Sequence, residues 1–263
     1  MPELPDVEIL KQYLDATALH QEIAKTRIHD ERVLEGISGA TLQRRASGCR
    51  FERTTRRGKH LLVALDENGW LAMHFGMSGY LRYFRRKNHQ PEHVRLAFHF
   101  TNDYLLAYVC QRRLGRVTLT DSPEAYVRDK ELGPDALEEI DAPALRQRLA
   151  GRRGSLKSAL MNQQVIAGVG NVYADEILFQ AGLQPETAVK DLGRKEIDRT
   201  YAALRKVLTE AIEARAEPER MPRGFLLPRR QEGAPCPRCG TPIRKITVSG
   251  RSTYYCPQCQ KEA

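Results

Sequence analysis

With 263 residues, 41% hydrophobic and 29% charged, the chain can form two modest domains with separate cores, in the proportions of a soluble globular protein. A net charge of +9 points to a polyanionic partner, nucleic acid before an anionic membrane surface, against the plainer reading of a basic surface with no partner. No run approaches the ~18 apolar residues that span a bilayer. Glu3 and Asp6 at the start argue against a signal peptide, so a cytoplasmic protein is expected.

The chain opens Met1-Pro2-Glu3-Leu4-Pro5-Asp6. An initiator Met before a small residue is commonly removed, and Pro2 would then carry a free secondary amine. Such an amine titrates near pH ~8. It can attack a carbonyl-like carbon and form an iminium. Glu3, one residue on, could move protons. The competing reading is a stiff lead-in to the amphipathic helix marked by Val7, Leu10 and Leu14.

Beyond that helix the hydrophobic period becomes two. Leu61, Val63 and Leu65 alternate, as do Val94, Leu96, Phe98 and Phe100 with Arg95, Ala97 and His99 between them. Further strands fit 69–76, 80–86, 104–110 and 116–120, which implies an antiparallel sandwich or barrel. The stretch 44–60 carries seven Lys or Arg against one Glu. It reads as a basic strand-edge loop suited to a nucleic-acid backbone. Met77, in a Gly-flanked loop after His74, and Arg112 with Leu114, in a second loop, are candidate wedges in a base stack. For Met77 and Leu114, core packing is the alternative.

Residues 155–166 read as a helix, with Leu156 and Leu160 four apart. After Gly168-Val169-Gly170, Asn171 is the expected N-cap of a second helix that ends at Gly182. The turn suits a phosphate at a helix N-terminus or a plain helix start. A third helix, about 195–215, has Ile197, Tyr201, Leu204, Leu208 and Ile212 on one stripe.

Cys236-x-x-Cys239 and Cys256-x-x-Cys259, with 16 residues between the pairs, have the spacing of a four-cysteine zinc site. All four positions are then filled by sulfur, so the one Zn2+ is structural. The intervening segment suits a hairpin turning at Ser249-Gly250, with Arg251 placed either to hold a phosphate or simply to face solvent. Cys49 and Cys110 read as ordinary buried thiols.

Taken together, Pro2-Glu3-Leu4-Pro5, Gly58-Lys59, His74-Phe75-Gly76-Met77-Ser78-Gly79, Arg112-Arg113, Leu132-Gly133-Pro134-Asp135, Gly168-Val169-Gly170-Asn171-Val172-Tyr173 and the paired cysteines with Arg251 resemble the formamidopyrimidine-DNA glycosylase / endonuclease VIII family, nearer its first branch. The resemblance implies an α+β fold of two domains. An N-terminal β-sandwich with flanking helices would span 1–130. A C-terminal helical domain would have a helix–two-turn–helix over 131–225 and a zinc-finger hairpin over 226–263. It implies a monomeric, bifunctional glycosylase and abasic-site lyase acting on damaged double-stranded DNA held in a basic cleft. Pro2 would attack C1′, Glu3 would assist, and Lys59 would join the catalytic set. Lys59, His74, Asn171 and Arg251 would grip phosphates, and Met77 and Arg112 would fill the gap in the duplex.

Four departures from the family pattern stand out. Asp6 replaces Glu, Cys110-Gln111 replaces Asp-Pro, and Leu114 replaces a Phe wedge. Residues 216–233 are shorter than the usual loop over the extruded purine and lack its Tyr-Gly-Arg segment, so specificity for 8-oxoguanine is not carried over. Competing readings are a non-catalytic zinc-finger DNA-binding protein of the same fold, chiefly an abasic-site lyase, or a basic RNA-binding zinc protein.

Overall fold

The computed structural model describes residues 1–66, 69–85 and 90–262. Two compact units emerge, one of residues 1–2 and 6–131, the other of residues 3–5 and 132–263.

The first unit holds most of helix α1 (Leu4–Thr17), α2 (Gly39–Ala46), α3 (Pro123–Asp129) and eight strands: β1 (Ile23–Ile28), β2 (Phe51–Arg57), β3 (His60–Leu65), β4 (Trp70–His74), β5 (Tyr80–Arg85), β6 (Val94–Phe100), β7 (Tyr104–Val109) and β8 (Arg116–Thr120). They form two antiparallel four-stranded sheets, ordered β1-β6-β7-β5 and β2-β3-β4-β8. Phe51, Leu61, Val63, Leu65 and Met73 from one sheet meet Leu96, Phe98, Phe100 and Leu106 from the other in a single core. Phe51 and Phe98 touch edge to face at 5.1 Å. This is the β-sandwich. The strand expected over 80–86 runs to Arg85, and Arg86 lies outside the described residues, as does Ala263 of the expected zinc finger.

Two sequence expectations fail here for local reasons. The alternation in β6 breaks because a bulge between Val94 and Leu96 turns Val94 to the other face. There Val94 clusters with Ala97, Leu105, Ala107 and Val109. The basic stretch 44–60 is not a loop. Arg44 and Arg45 end α2, and Phe51–Arg57 is β2, in which Arg56 is 1% exposed and pairs with Glu8 at 2.9 Å.

The second unit packs α4 (Ala142–Leu149), α5 (Leu156–Met161), α6 (Asn171–Ala181) and α7 (Arg194–Glu213) around Leu145, Leu149, Leu160, Ile177, Leu204 and Leu208. A hairpin of β9 (Arg244–Val248) and β10 (Arg251–Tyr255) follows. Helix α5 is half the length the sequence suggests. Polar side chains take over the backbone groups past Met161, as such residues do when they compete with a helix. Gln163 Nε2 donates to Met161 O and Val169 O, both at 2.8 Å, and its Oε1 accepts from Gly168 N. Gly182, at φ 71°, caps the far end of α6 as expected.

Candidate active site and nucleic-acid interface

Gly170, not Asn171, is the N-cap of α6, and it has no side chain to cap with. The cap comes from Glu3. Its carboxylate accepts from Gly170 N at 2.7 Å, Val172 N at 2.9 Å and Tyr173 N at 3.2 Å. Leu4 N donates to Gly168 O at 3.0 Å. A carboxylate on the free N–H groups of a helix start is favoured by hydrogen bonding and by the helix dipole. Gly170 is required by this approach, because a Cβ there would meet the Glu3 carboxyl group. Glu3 is therefore 2% exposed, and the residue joined to it, Pro2, is half-buried. Asp6 lies in the first turn of α1 and is partly buried.

In the sandwich unit, Gly58-Lys59 forms the two-residue turn between β2 and β3, with Gly58 at φ 55°. Lys59 is only 5% exposed. His74 ends β4 and accepts from Gly76 N at 3.4 Å through Nδ1. Burial, with Lys59 and Arg116 nearby, holds its imidazole down at about 4.

The loops carrying Met77 and Leu114 interlock. A Cβ on Gly76 would lie 2.6 Å from Leu114 C and Gly115 N, and a side chain on Gly115 would collide with the Tyr108 hydroxyl, which donates to His74 O. The pairing leaves Met77 at 38% and Leu114 at 48% exposure, so core packing is excluded for both. Arg112 and Arg113 diverge. Arg113, at φ 57°, reaches Asp30 at 2.9 Å, whereas Arg112 is exposed. Arg95 donates to Cys110 O and Gln111 O and steadies the same loop.

In the helical unit, Asn171 Nδ2 donates to Ser252 O at 3.0 Å, which sets it beside Arg251 at the hairpin tip. Ser249 and Gly250, at φ 50° and 71°, make the two-residue turn, and Ser249 hydrogen-bonds Ser158 of α5. Arg251 is exposed. The hairpin rests on a charge cluster that sequence reasoning missed. Asp175 receives Lys157 at 2.6 Å, Arg230 at 2.7 Å and Tyr254 N at 3.1 Å, and Lys157 also donates to Thr253 Oγ1. Lys157 and Asp175 are fully buried. The neighbouring Glu176, pushed up by burial, accepts from Leu227 N at 2.6 Å. The available signal was an acidic pair inside a helix that is apolar on every side. Pro218–Arg220 and Leu227–Arg229 form two short 3-10 turns, and Met221, Phe225, Leu226 and Leu227 in and between them are buried.

The sulfurs of Cys236, Cys239, Cys256 and Cys259 all lie within 4.8 Å of one another, with close pairs at 3.4, 3.5 and 3.8 Å. Sulfurs held about 2.3 Å from one tetrahedral ion lie about 3.8 Å apart, so the cluster fits zinc; a disulfide needs about 2.05 Å. Four thiolates close the site, and its role is structural.

A β-sandwich unit with a helical unit that ends in a zinc-stapled hairpin defines a two-unit α+β zinc-finger protein. Models of the formamidopyrimidine-DNA glycosylase N-terminal domain, its H2TH domain, and the zinc finger found in FPG and IleRS match residues 1–117, 132–221 and 233–261. The formamidopyrimidine-DNA glycosylase of Pelotomaculum thermopropionicum is 36% identical over 274 residues, covering 99% of both chains. That of Synechocystis is 36% identical over 282 residues, covering 99% of this chain and 98% of the relative. The Lactococcus lactis enzyme, solved non-covalently bound to DNA containing an AP site, superposes with a TM-score of 0.91 at 28% identity, covering 99% of this chain and 100% of the other. The chain belongs to the formamidopyrimidine-DNA glycosylase family.

Proposed function

We propose that the protein is a base-excision DNA glycosylase and abasic-site lyase whose nucleophile is the amine of Pro2 once Met1 is removed. The observation that carries this reading is the seating of Glu3 on the start of α6, because it fixes the chain at the residue next to the proline amine. In the proposed reaction the Pro2 nitrogen bonds to C1′, and the bond from C1′ to the base breaks, the base leaving with a proton. Sugar-ring opening gives an iminium. Loss of a C2′ proton then expels the 3′ phosphate, and a second elimination expels the 5′ phosphate. Glu3 assists proton transfer at the sugar, and Lys59 joins the catalytic set. His74, Asn171 and Arg251 hold phosphates, while Met77, Arg112 and Leu114 occupy the gap left in the duplex.

Damaged double-stranded DNA is the proposed substrate, and the relatives solved on abasic-site and FAPY-dG DNA support it. A second reading, chiefly an abasic-site lyase, is favoured by the packed segment 218–229, where Leu227 is tied to Glu176 and Phe225 is buried. Borohydride trapping on an abasic-site duplex tests the nucleophile. A covalent adduct is expected from protein whose mass shows loss of Met1, and Pro2→Gly should remove most of it. An adduct unchanged in Pro2→Gly overturns the assignment. Base release from a lesion panel, compared with strand cutting at abasic sites, separates the two readings.

A further inference from the structure

Across the sheet β2-β3-β4-β8, four residues stand directly opposite one another in register: Arg57 pairs with His60, His60 with His74, and His74 with Arg116. Directly opposed residues share one face of a sheet, so this is a single row of four basic side chains, with Lys59 in the adjoining turn. Like charges directly opposite one another repel, and the two central positions are the ones that can shed their charge.

The geometry holds those two imidazoles together. Their ring centroids are 4.9 Å apart at a 34° tilt. His60 Nδ1 lies 2.9 Å from the Tyr126 hydroxyl, and the Tyr126 ring meets His60 edge-on at 5.3 Å. Tyr126 is itself buried, and burial pushes its hydroxyl well above the usual range, so it serves as the donor and His60 as the acceptor. His74 Nδ1 accepts from Gly76, which leaves its proton on Nε2 as the donor for an anion. Among the described residues, the charged groups around the pair are Arg57 at the end of the row, Lys59, Lys130 beyond α3, Arg116 of β8 and one acid, Glu35. Glu35 is already engaged by Lys130 at 2.7 Å.

We propose that the His60–His74 pair takes up one proton when a DNA phosphate binds at His74, with His60 acting as the positioning residue that keeps His74 neutral until then. This rests on the reading of His74 as a phosphate contact and adds a proton to it. In the free protein, burial and the surrounding cations hold His60 at about 3 and His74 at about 4. An opposite charge at contact distance raises such a group by roughly 1–3 in pKa, which brings His74 toward the pH range of the cell. The proton comes from solvent, and the row then carries an extra positive charge only while the phosphate is present to balance it.

Calorimetric titration with a duplex bearing a tetrahydrofuran abasic analogue, run at about pH 6 in two buffers of different ionisation enthalpy, counts the protons. Uptake of about half a proton or more is expected, with affinity tightening as pH falls from about 8 to about 6. His74→Gln should abolish the uptake and weaken binding. His60→Asn should admit water to the ring of His74, raise its titration in the free protein by NMR, and reduce the uptake. His60→Phe, which retains the ring packing and keeps water out, should leave the His74 titration low and the uptake near that of wild type, and a His74 titration raised in His60→Phe as well would mean that His60 does not act by burying that ring. Wild-type protein that binds DNA with no uptake, or His74→Gln that takes up protons like wild type, overturns the proposal. If His74→Gln binds the duplex as tightly as wild type, the phosphate reading itself is wrong.

Discussion

Asp30 in the sandwich unit and Asp175 in the helical unit each gather cations, yet water reaches them differently. Asp30 meets Arg32 at 2.8 Å, Arg113 at 2.9 Å and Arg95 at 3.6 Å, and the side chains of Arg32 and Arg113 are 66% and 46% exposed. Its carboxyl is held down at about 2, first by the hydrogen bond from Arg32. Around Asp175 the order is reversed. Lys157 is fully buried, and burial lowers its pKa despite Asp175 beside it. Desolvation therefore outweighs attraction at Lys157, and the cluster tolerates no missing partner. The surface cluster steadies a loop, whereas the buried one determines where a whole hairpin sits.

Zinc removal tests the hairpin most severely. Binding free energies of small structural zinc sites reach roughly 10–16 kcal/mol, far more than one ion pair supplies. Chelation should unfold residues 233–262 and abolish duplex binding, read by thermal melting and by DNA titration. An unchanged melt in protein shown to be zinc-free sinks the staple. Next in size is Asp175→Asn, which leaves Lys157 buried without its counter-charge and should cost about 3–5 kcal/mol in urea unfolding. A cost near that of a surface pair would remove the contrast between the two clusters.

The sequence made the periodic and the rigidly spaced features readable. The four cysteines, the Ser249-Gly250 turn and α7 (Arg194–Glu213) follow from spacing, turn chemistry and a helical stripe. What stayed hidden depended on contacts between distant residues. No local pattern says that Glu3 will cap a helix 167 residues away, which displaces Asn171 from that role. The bulge that turns Val94 out of its alternation puts one extra residue of β6, Arg95, against β7, and it shows only when the two strands are paired. Arg56 sits in a run of basic residues, and only the distant Glu8 of α1 accounts for its burial.

Glu3→Gln comes third and probes the cap itself. Gln retains one acceptor oxygen and loses the charge, so some of the N–H groups of Gly170, Val172 and Tyr173 lose their partner in a buried place. The expected cost is about 1–3 kcal/mol. Borohydride trapping should fall much further than that if the cap also aims the amine of Pro2. Trapping at the wild-type level, with stability reduced, would leave Glu3 a purely structural cap.

The smallest effect belongs to Asp30. Asp30→Asn should cost no more than about 1 kcal/mol near neutrality, as exposed pairs do. Its pH dependence is the sharper test. A carboxyl held at about 2 in the fold and near its ordinary 3.8 when unfolded stabilises the fold above the ordinary value. That contribution fades as pH falls toward 2, because the unfolded chain takes up the proton first. The gap in urea midpoint between wild type and Asp30→Asn should therefore be widest above about pH 5 and close on acidification. A gap that holds constant down to about pH 2 would mean that the three arginines do not act through the charge of Asp30, and that the loop of Arg112 is steadied by the bonds from Arg95 and Arg116 instead.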